Sequence, residues 1–198
     1  MFITYPFQFF FRVLNHVWLR VMLSLSAKKN SEGIELYAFS EAPKFFAAAS
    51  EALSFLKNVD PMRFSRVKKF LPKMAYLKIG IDYFEASLSA FIVDDYSQSD
   101  ACFFASKIVH EMTHARLHQK GLSYTDKMRA RHEKLCLTEQ YRFIRKAIAH
   151  TDWWTAEMKA KAIEEWTRWF ENTLKSEWWE PHQIRVKRFS RLRQWLRV

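Results

Sequence analysis

A chain of 198 residues and 23.8 kDa is long enough to bury a substantial core, and with 49% hydrophobic and 27% charged residues it is neither low-complexity nor a disordered polymer. Three glycines against 17% aromatics leave almost no raw material for phosphate-cradling glycine loops, which excludes P-loop and dinucleotide-fold readings. The net charge of +11 gathers at the ends: residues 1–29 hold Arg12, Arg20, Lys28 and Lys29, residues 181–198 hold Arg185, Lys187, Arg188, Arg191, Arg193 and Arg197, and neither stretch has an acid. Basic ends suit peripheral contact with an anionic membrane or nucleic acid, and equally plain solubility.

In chain order, the apolar start lacks a charged n-region and is interrupted by Arg12, Asn15, His16 and Arg20, so it reads as neither a signal peptide nor a clean membrane span. At helical spacing Phe7, Phe10, Phe11, Leu14, Trp18, Val21 and Leu25 share one face, with Arg12, His16 and Arg20 opposite, which predicts an amphipathic helix over about 7–26. That stripe fits a membrane interface or docking on the chain's own domain. Residues 31–39 alternate as a short strand, and Ser40, Glu41 and Pro43 open a helix to about Asn58. A short basic helix over 61–71 leads to residues 75–81, which the alternation of Phe84, Ala86, Leu88, Ala90 and Ile92 predicts to pair with the next segment as a strand hairpin about Gly80.

From Asp100 the period becomes helical, at about 100–119, 124–149, 152–176 and 183–197. The expected fold is therefore α+β, a small antiparallel sheet followed by a helical block in a single domain. Cys102 and Cys136 lie inside helical patterns without CxxC spacing, which points to a reducing, cytoplasmic compartment, with the ends allowing a peripheral position at the membrane.

The chemistry concentrates in Ile108-Val109-His110-Glu111-Met112-Thr113-His114, an HExxH motif. The i, i+4 spacing stacks the two imidazoles on one helix face, where both can reach a single metal ion, with Glu111 beside them to take a proton from a polarised water. Apolar residues on both sides, Phe104, Ile108 and Met112 on one and Phe103 and Leu117 on the other, predict a buried helix. A third ligand comes from the next helix. Gly121 ends the motif helix and Ser123 with Asp126 resembles a capping box, so the two helices fold back on each other about residue 122. Reflection through 122 sets Glu133 level with Glu111, midway along the histidine turn, and sets the rival Glu139 roughly 9–10 Å further along. His118 lies two turns from His110, about 12 Å along a continuous helix, too far for the same ion.

HExxH followed by a glutamate on the next helix resembles the gluzincin division of the zincin metallopeptidases, over residues 75–149. The resemblance implies that His110, His114 and Glu133 hold Zn2+, that Glu111 is the general base, and that the strand before the motif helix (residues 83–93) lines a cleft for an extended peptide or protein substrate. Ala115-Arg116-Leu117-His118 lacks the glycine and spacing of the metzincin pattern. Zincins stabilise the oxyanion with a Tyr, His or Arg; Tyr124, His132, Tyr141 and Arg129 are all available, and spacing selects none of them. Trp154, Met158, Trp166, Trp169 and Phe170 predict a core-covering helix, and Trp178, Trp179 and Trp195 continue the bias into the basic tail over about 181–198. The competing class is a non-catalytic basic and aromatic module for a membrane surface or nucleic acid, in which any metal is structural or incidental.

Overall fold

The computed structural model describes residues 16–80, 82–96, 100–122, 124–125, 128–150 and 155–175. Residues 7–15 of the expected first helix, the expected helix over 183–197, the basic tail, Trp154, Trp178, Trp179, Trp195 and the Ser123–Asp126 cap lie outside them. The fold is α+β. Helix α1 (16–25) precedes strands β1 (Ala27–Ser31) and β2 (Ile34–Ala38), then helices α2 (Ala42–Val59) and α3 (Pro61–Phe70). Strands β3 (Lys73–Tyr76), β4 (Tyr83–Glu85) and β5 (Ala90–Val93) follow, and the chain continues through α4 (Ala101–Gln119), α5 (Arg129–Ala149) and α6 (Ala156–Lys175).

The sheet is mixed, which corrects the antiparallel expectation. Its order is β1-β2-β3-β5-β4; β1 with β2 and β4 with β5 are antiparallel, whereas β2 with β3 and β3 with β5 are parallel. Period-two alternation marks a strand without fixing its partner's direction. The α2–α3 pair is a crossover that returns the chain in the same direction, so β3 must run parallel to β2. The stretch 31–39 is likewise the end of one strand and the whole of the next, turned at Glu32 and Gly33, both at positive φ (55° and 84°), the two-residue turn that suits a hairpin. The expected hairpin about Gly80 is absent from its place: the hairpin is β4–β5, reversed at residues 86–89 with Ser89 at φ 49°. Reversal inside the alternating run sets Phe84 opposite Phe91 on one face and Tyr83 opposite Ile92 on the other.

Both faces of the sheet are covered. Ile34, Leu36, Met74, Tyr76, Phe91 and Val93 pack against Phe45, Leu53 and Leu56 of α2, Phe64 and Val67 of α3, Phe104, Ile108 and Met112 of α4, and Phe143 of α5. Ala75, Leu77, Ala90 and Ile92 on the other face pack against Leu19 of α1. The predicted apolar stripe of α1 does not make this contact. Trp18, Val21 and Leu25 are 42%, 48% and 67% exposed, and Leu19, with Met22 and Leu23, docks instead. In α6, Trp166 stacks on Phe103 (5.8 Å) and Phe170 on Tyr141 (4.8 Å), while Met158 and Trp169 are exposed, so the helix covers α5 and the start of α4 with only part of its aromatic set. Among the described residues no helix is long and apolar enough to cross a membrane.

Candidate metal centre

Helix α4 is enclosed on most of its circumference, with Phe104, Ala105, Ser106, Ile108, Val109, Glu111, Met112, Thr113, Ala115 and Leu117 all buried. Asp100 caps its start, accepting from the Phe103 N–H at 2.6 Å. Gly121 ends it at φ 77°: Leu122 N–H bonds Leu117 C=O and Gly121 N–H bonds His118 C=O, the paired 6→1 and 5→2 pattern that lets a chain leave a helix sharply. Helix α5 starts at Arg129, five residues later than its period suggested, and returns along α4.

This hairpin brings His110, His114 and Glu133 together. The two Nε2 atoms are 3.2 Å apart, and Glu133 Oε2 lies 3.3 Å from His110 Nε2 and 3.6 Å from His114 Nε2. Outer contacts fix the orientation of each group. Ser106 donates its hydroxyl to the Phe103 carbonyl (2.7 Å), so its oxygen accepts from Gln140 Nε2 (3.0 Å), and Gln140 Oε1 then accepts from His110 Nδ1–H (3.1 Å). With the proton on Nδ1, the Nε2 lone pair of His110 faces the cluster. Tyr124 donates to Glu133 Oε1 at 2.5 Å, which leaves Oε2 directed at the histidines, and its ring stands edge-on to both His114 (5.4 Å) and His132 (5.7 Å).

Three donor atoms at 3.2–3.6 Å from one another match one face of a tetrahedron around a cation with bonds of about 2.0–2.1 Å, whose edges are about 3.3–3.4 Å. Converging lone pairs and a carboxylate repel unless positive charge lies among them, and a proton is the simplest source. Burial opposes charge on His110, yet the Glu133 and Glu111 carboxylates override it and raise its pKa. Burial likewise opposes ionisation of Glu133, but its bonds to His110 and His114 hold it well below the usual carboxylate range. A divalent cation satisfies the same donors without a proton, so the residues fit a metal.

Glu111 is buried, and its Oε2 has no partner among the described residues. Burial raises its pKa above the usual carboxylate range, with Glu133 and Asp82 adding to the effect against His110 and His114. A buried carboxylate oxygen left unpaired beside a cation site can exchange a proton with a small polar molecule held there.

Cys136, one turn beyond Glu133, was not foreseen in this role. Its sulfur lies within 4.8 Å of a nitrogen of each histidine, and burial followed by the Glu133 and Glu111 charges pushes its thiol pKa upward. A lone Cys at i+3 from a candidate ligand was the available signal. The four side chains left open for the oxyanion now divide. Tyr141 is spent elsewhere, its hydroxyl 2.5 Å from Thr167 Oγ1 and its ring under Phe170. Tyr124 and His132 stand at the centre, with the Arg129 charge near Tyr124, and His132, whose pKa burial and then His114 lower, has a buried Nε2 without a partner among the described residues. Glu139 is bound by Arg63 (3.1 Å) and Arg142 (2.8 Å), and His118 is exposed against Phe84 (6.0 Å). Compared with protein-family models, curated proteins and solved structures, the chain matches none.

Proposed function

We propose that this chain is a zinc-dependent hydrolase of peptide bonds, organised as a gluzincin, acting on a peptide or protein substrate in a reducing, cytoplasmic compartment. The observation that carries the reading is the convergence of His110 Nε2, His114 Nε2 and Glu133 Oε2 beside the unpaired buried oxygen of Glu111. His110, His114 and Glu133 would hold the ion, and zinc suits two imidazoles and a carboxylate best. When bound, it supplies Lewis acidity toward a carbonyl oxygen and acidifies water. Glu111, a base of raised pKa, takes the proton of the attacking water and delivers it to the leaving nitrogen. Tyr124 and Gln140 hold Glu133 and His110 in place through the exchange. Outermost in the sheet and packed against α4, β4 supports docking of an extended backbone alongside it. Two unpaired cysteines, Cys102 with its thiol pushed up to about 12 by burial and the Asp100 charge, support the compartment.

Elemental analysis of the purified chain should give about one zinc per chain, and Glu111→Gln should cut peptide turnover by about 10²- to 10⁴-fold with the zinc retained. Metal-free wild type, or a variant that cleaves as fast as wild type, rejects the assignment.

The position of Cys136 favours a second reading, a structural site held by His110, His114 and Cys136 in a non-catalytic module. Cys136→Ser separates the two: under the first reading zinc and turnover survive, and under the second the zinc is lost.

A further inference from the structure

We infer that the solvent face of α5 binds the phosphate backbone of duplex DNA. Helix α5 is two-sided. Glu133, Cys136 and Gln140 face α4, whereas Arg131, Lys134, Arg142, Arg145 and Lys146 fall, at about 100° per residue, within an arc of about 120° on the opposite side. The row is about 22 Å long at 1.5 Å per residue. Only Leu135 and Thr138 interrupt it, and no acid lies within the arc: the acids of α5 turn away, Glu133 to the histidines and Glu139 to Arg63 and Arg142. Arg131, Lys134 and Arg145 are exposed and have no ion pair among the described residues. The Arg142 side chain is 64% exposed with one nitrogen on Glu139, and that of Lys146 is 39% exposed beside Asp60. Across the Arg63–Glu139 (3.1 Å) and Lys146–Asp60 (3.3 Å) pairs stands the start of α3, which carries Arg63, Arg66, Lys68 and Lys69 and no acid. On the opposite flank α6, joined through Tyr141 and Phe170, mixes both signs, and Arg168 takes its Glu164 (2.9 Å). The cationic surface therefore runs from α5 toward α3.

Five cations on this face and four on α3 meet two carboxylates, Asp60 and Glu139, and a surface that repels itself in this way is what a polyanion neutralises. Its make-up selects among polyanions. A lipid boundary takes an apolar stripe between its cations, and here Leu135 on α5 and Met62 on α3 are the large exposed apolar side chains. Single strands are held by stacking on rings, and no aromatic of either helix is exposed; Tyr141 is half-buried against Phe170, with Arg145 over it at 5.9 Å. Guanidinium forks at Arg131, Arg142 and Arg145 suit phosphate oxygens. Flanked by α3 and α6, α5 meets the backbone of a duplex rather than the floor of a groove, so the contact is independent of base sequence. The inference does not rest on the metal centre, which uses the other side of α5.

The test is fluorescence anisotropy of a short labelled DNA duplex titrated with the full chain over a range of salt. Wild type should bind duplexes of unrelated sequence alike, with log affinity falling linearly against log salt. Arg131→Gln combined with Lys134→Gln and Arg145→Gln should weaken binding by at least about tenfold and make that slope shallower by about 2 to 3, since each phosphate contact contributes about 0.9. All three side chains are exposed, so thermal unfolding should stay that of wild type. The basic tail is the rival segment, and Arg191→Gln with Arg193→Gln and Arg197→Gln removes the same charge there; this variant should lose less affinity than the helix variant. A helix variant with wild-type affinity and slope, or a tail variant that loses more, would assign the binding elsewhere and overturn the inference. So would a wild type that leaves the duplex unbound, whether or not it floats with phosphatidylserine vesicles.

Discussion

Two buried carboxylate clusters share α5, six residues and about 9 Å apart along the helix, and they are balanced in opposite ways. Around Glu139 the balance is complete within the protein. Arg63 bridges Asp60 (2.5 Å) and Glu139 (3.1 Å), Lys146 reaches Asp60 (3.3 Å), and Arg142 reaches Glu139 (2.8 Å). Around Glu133 no Lys or Arg among the described residues pairs with either that carboxylate or Glu111; what converges is imidazole nitrogen, a thiol and a phenol. This chain closes a structural anion with guanidinium and ammonium groups. Where it gathers anions with imidazole donors, the balancing charge is a proton on the histidines or, in the proposed site, a cation that takes its place, and that exchangeability separates this cluster from the internal ion network.

The contrast breaks most visibly by removing the outside charge. A chelator should lower the stability of zinc-loaded chain by about 4 kcal/mol when the metal had stood about a thousandfold above its Kd, a fall in Tm of roughly 10 °C for a chain of this size. Stability unmoved by chelator would place no cation at the histidines. The companion variant is Asp60→Ala. It strips a side chain that is 1% exposed, leaves Lys146 without its carboxylate and removes the acceptor that caps α3 at Arg63 N–H. Urea unfolding should show a loss of about 3 kcal/mol, with zinc content unchanged. Zinc lost along with stability would mean that the two clusters are one.

Much of this was legible in the sequence because helices are local. The motif helix, its glycine stop, the return of the next helix and the level of Glu133 all follow from 1.5 Å per residue and one reflection point. What escaped were the non-local relations. The run 84–92 read as one alternating strand, yet nothing in it says that the chain reverses at 86–89, which puts Phe84 and Ile92 on opposite faces, or that β3 pairs in parallel with β5. The stripe of α1 was visible, but which side of the helix meets the sheet depends on Ala75, Leu77, Ala90 and Ile92, brought together only by that pairing. Cys136 read as a plain helix residue because its nearness to the histidines needs the rotation of α5 as well as its level. The Ser106–Gln140 link spans 34 positions and has no sequence signature.

That link sharpens the comparison on its metal side. Gln140→Leu removes the acceptor for His110 Nδ1–H, so the ring loses both its fixed tautomer and its orientation, and zinc affinity measured against a competing chelator should fall about 10- to 100-fold. Gln140→Glu keeps an acceptor at that place and should restore most of the affinity. A Leu variant that binds zinc as tightly as wild type would reduce the relay to packing.

The smallest effect is the pH dependence of the metal-free chain, and it carries both clusters at once. Asp60, Glu139 and Glu133 have folded pKa values below their ordinary ones: burial alone would raise them, but Arg63 and Lys146, Arg142 and Arg63, and the two histidines override it. Their stabilisation is present above the ordinary carboxylate range of about 3.9–4.3 and is lost as pH falls through the folded values. His110 has the opposite sign. Its raised pKa gives stabilisation that is complete below about 6.5 and is lost as pH rises through the folded value, and Glu111, raised by burial, also favours the acid side. Metal-free chain should therefore weaken on both flanks. Zinc should abolish only the alkaline flank, because it takes the place of the proton among Glu133, His110 and His114, while Asp60→Ala should soften only the acid flank. An alkaline decline that persists in zinc-loaded protein would mean that the histidines are charged for a reason other than the want of a cation.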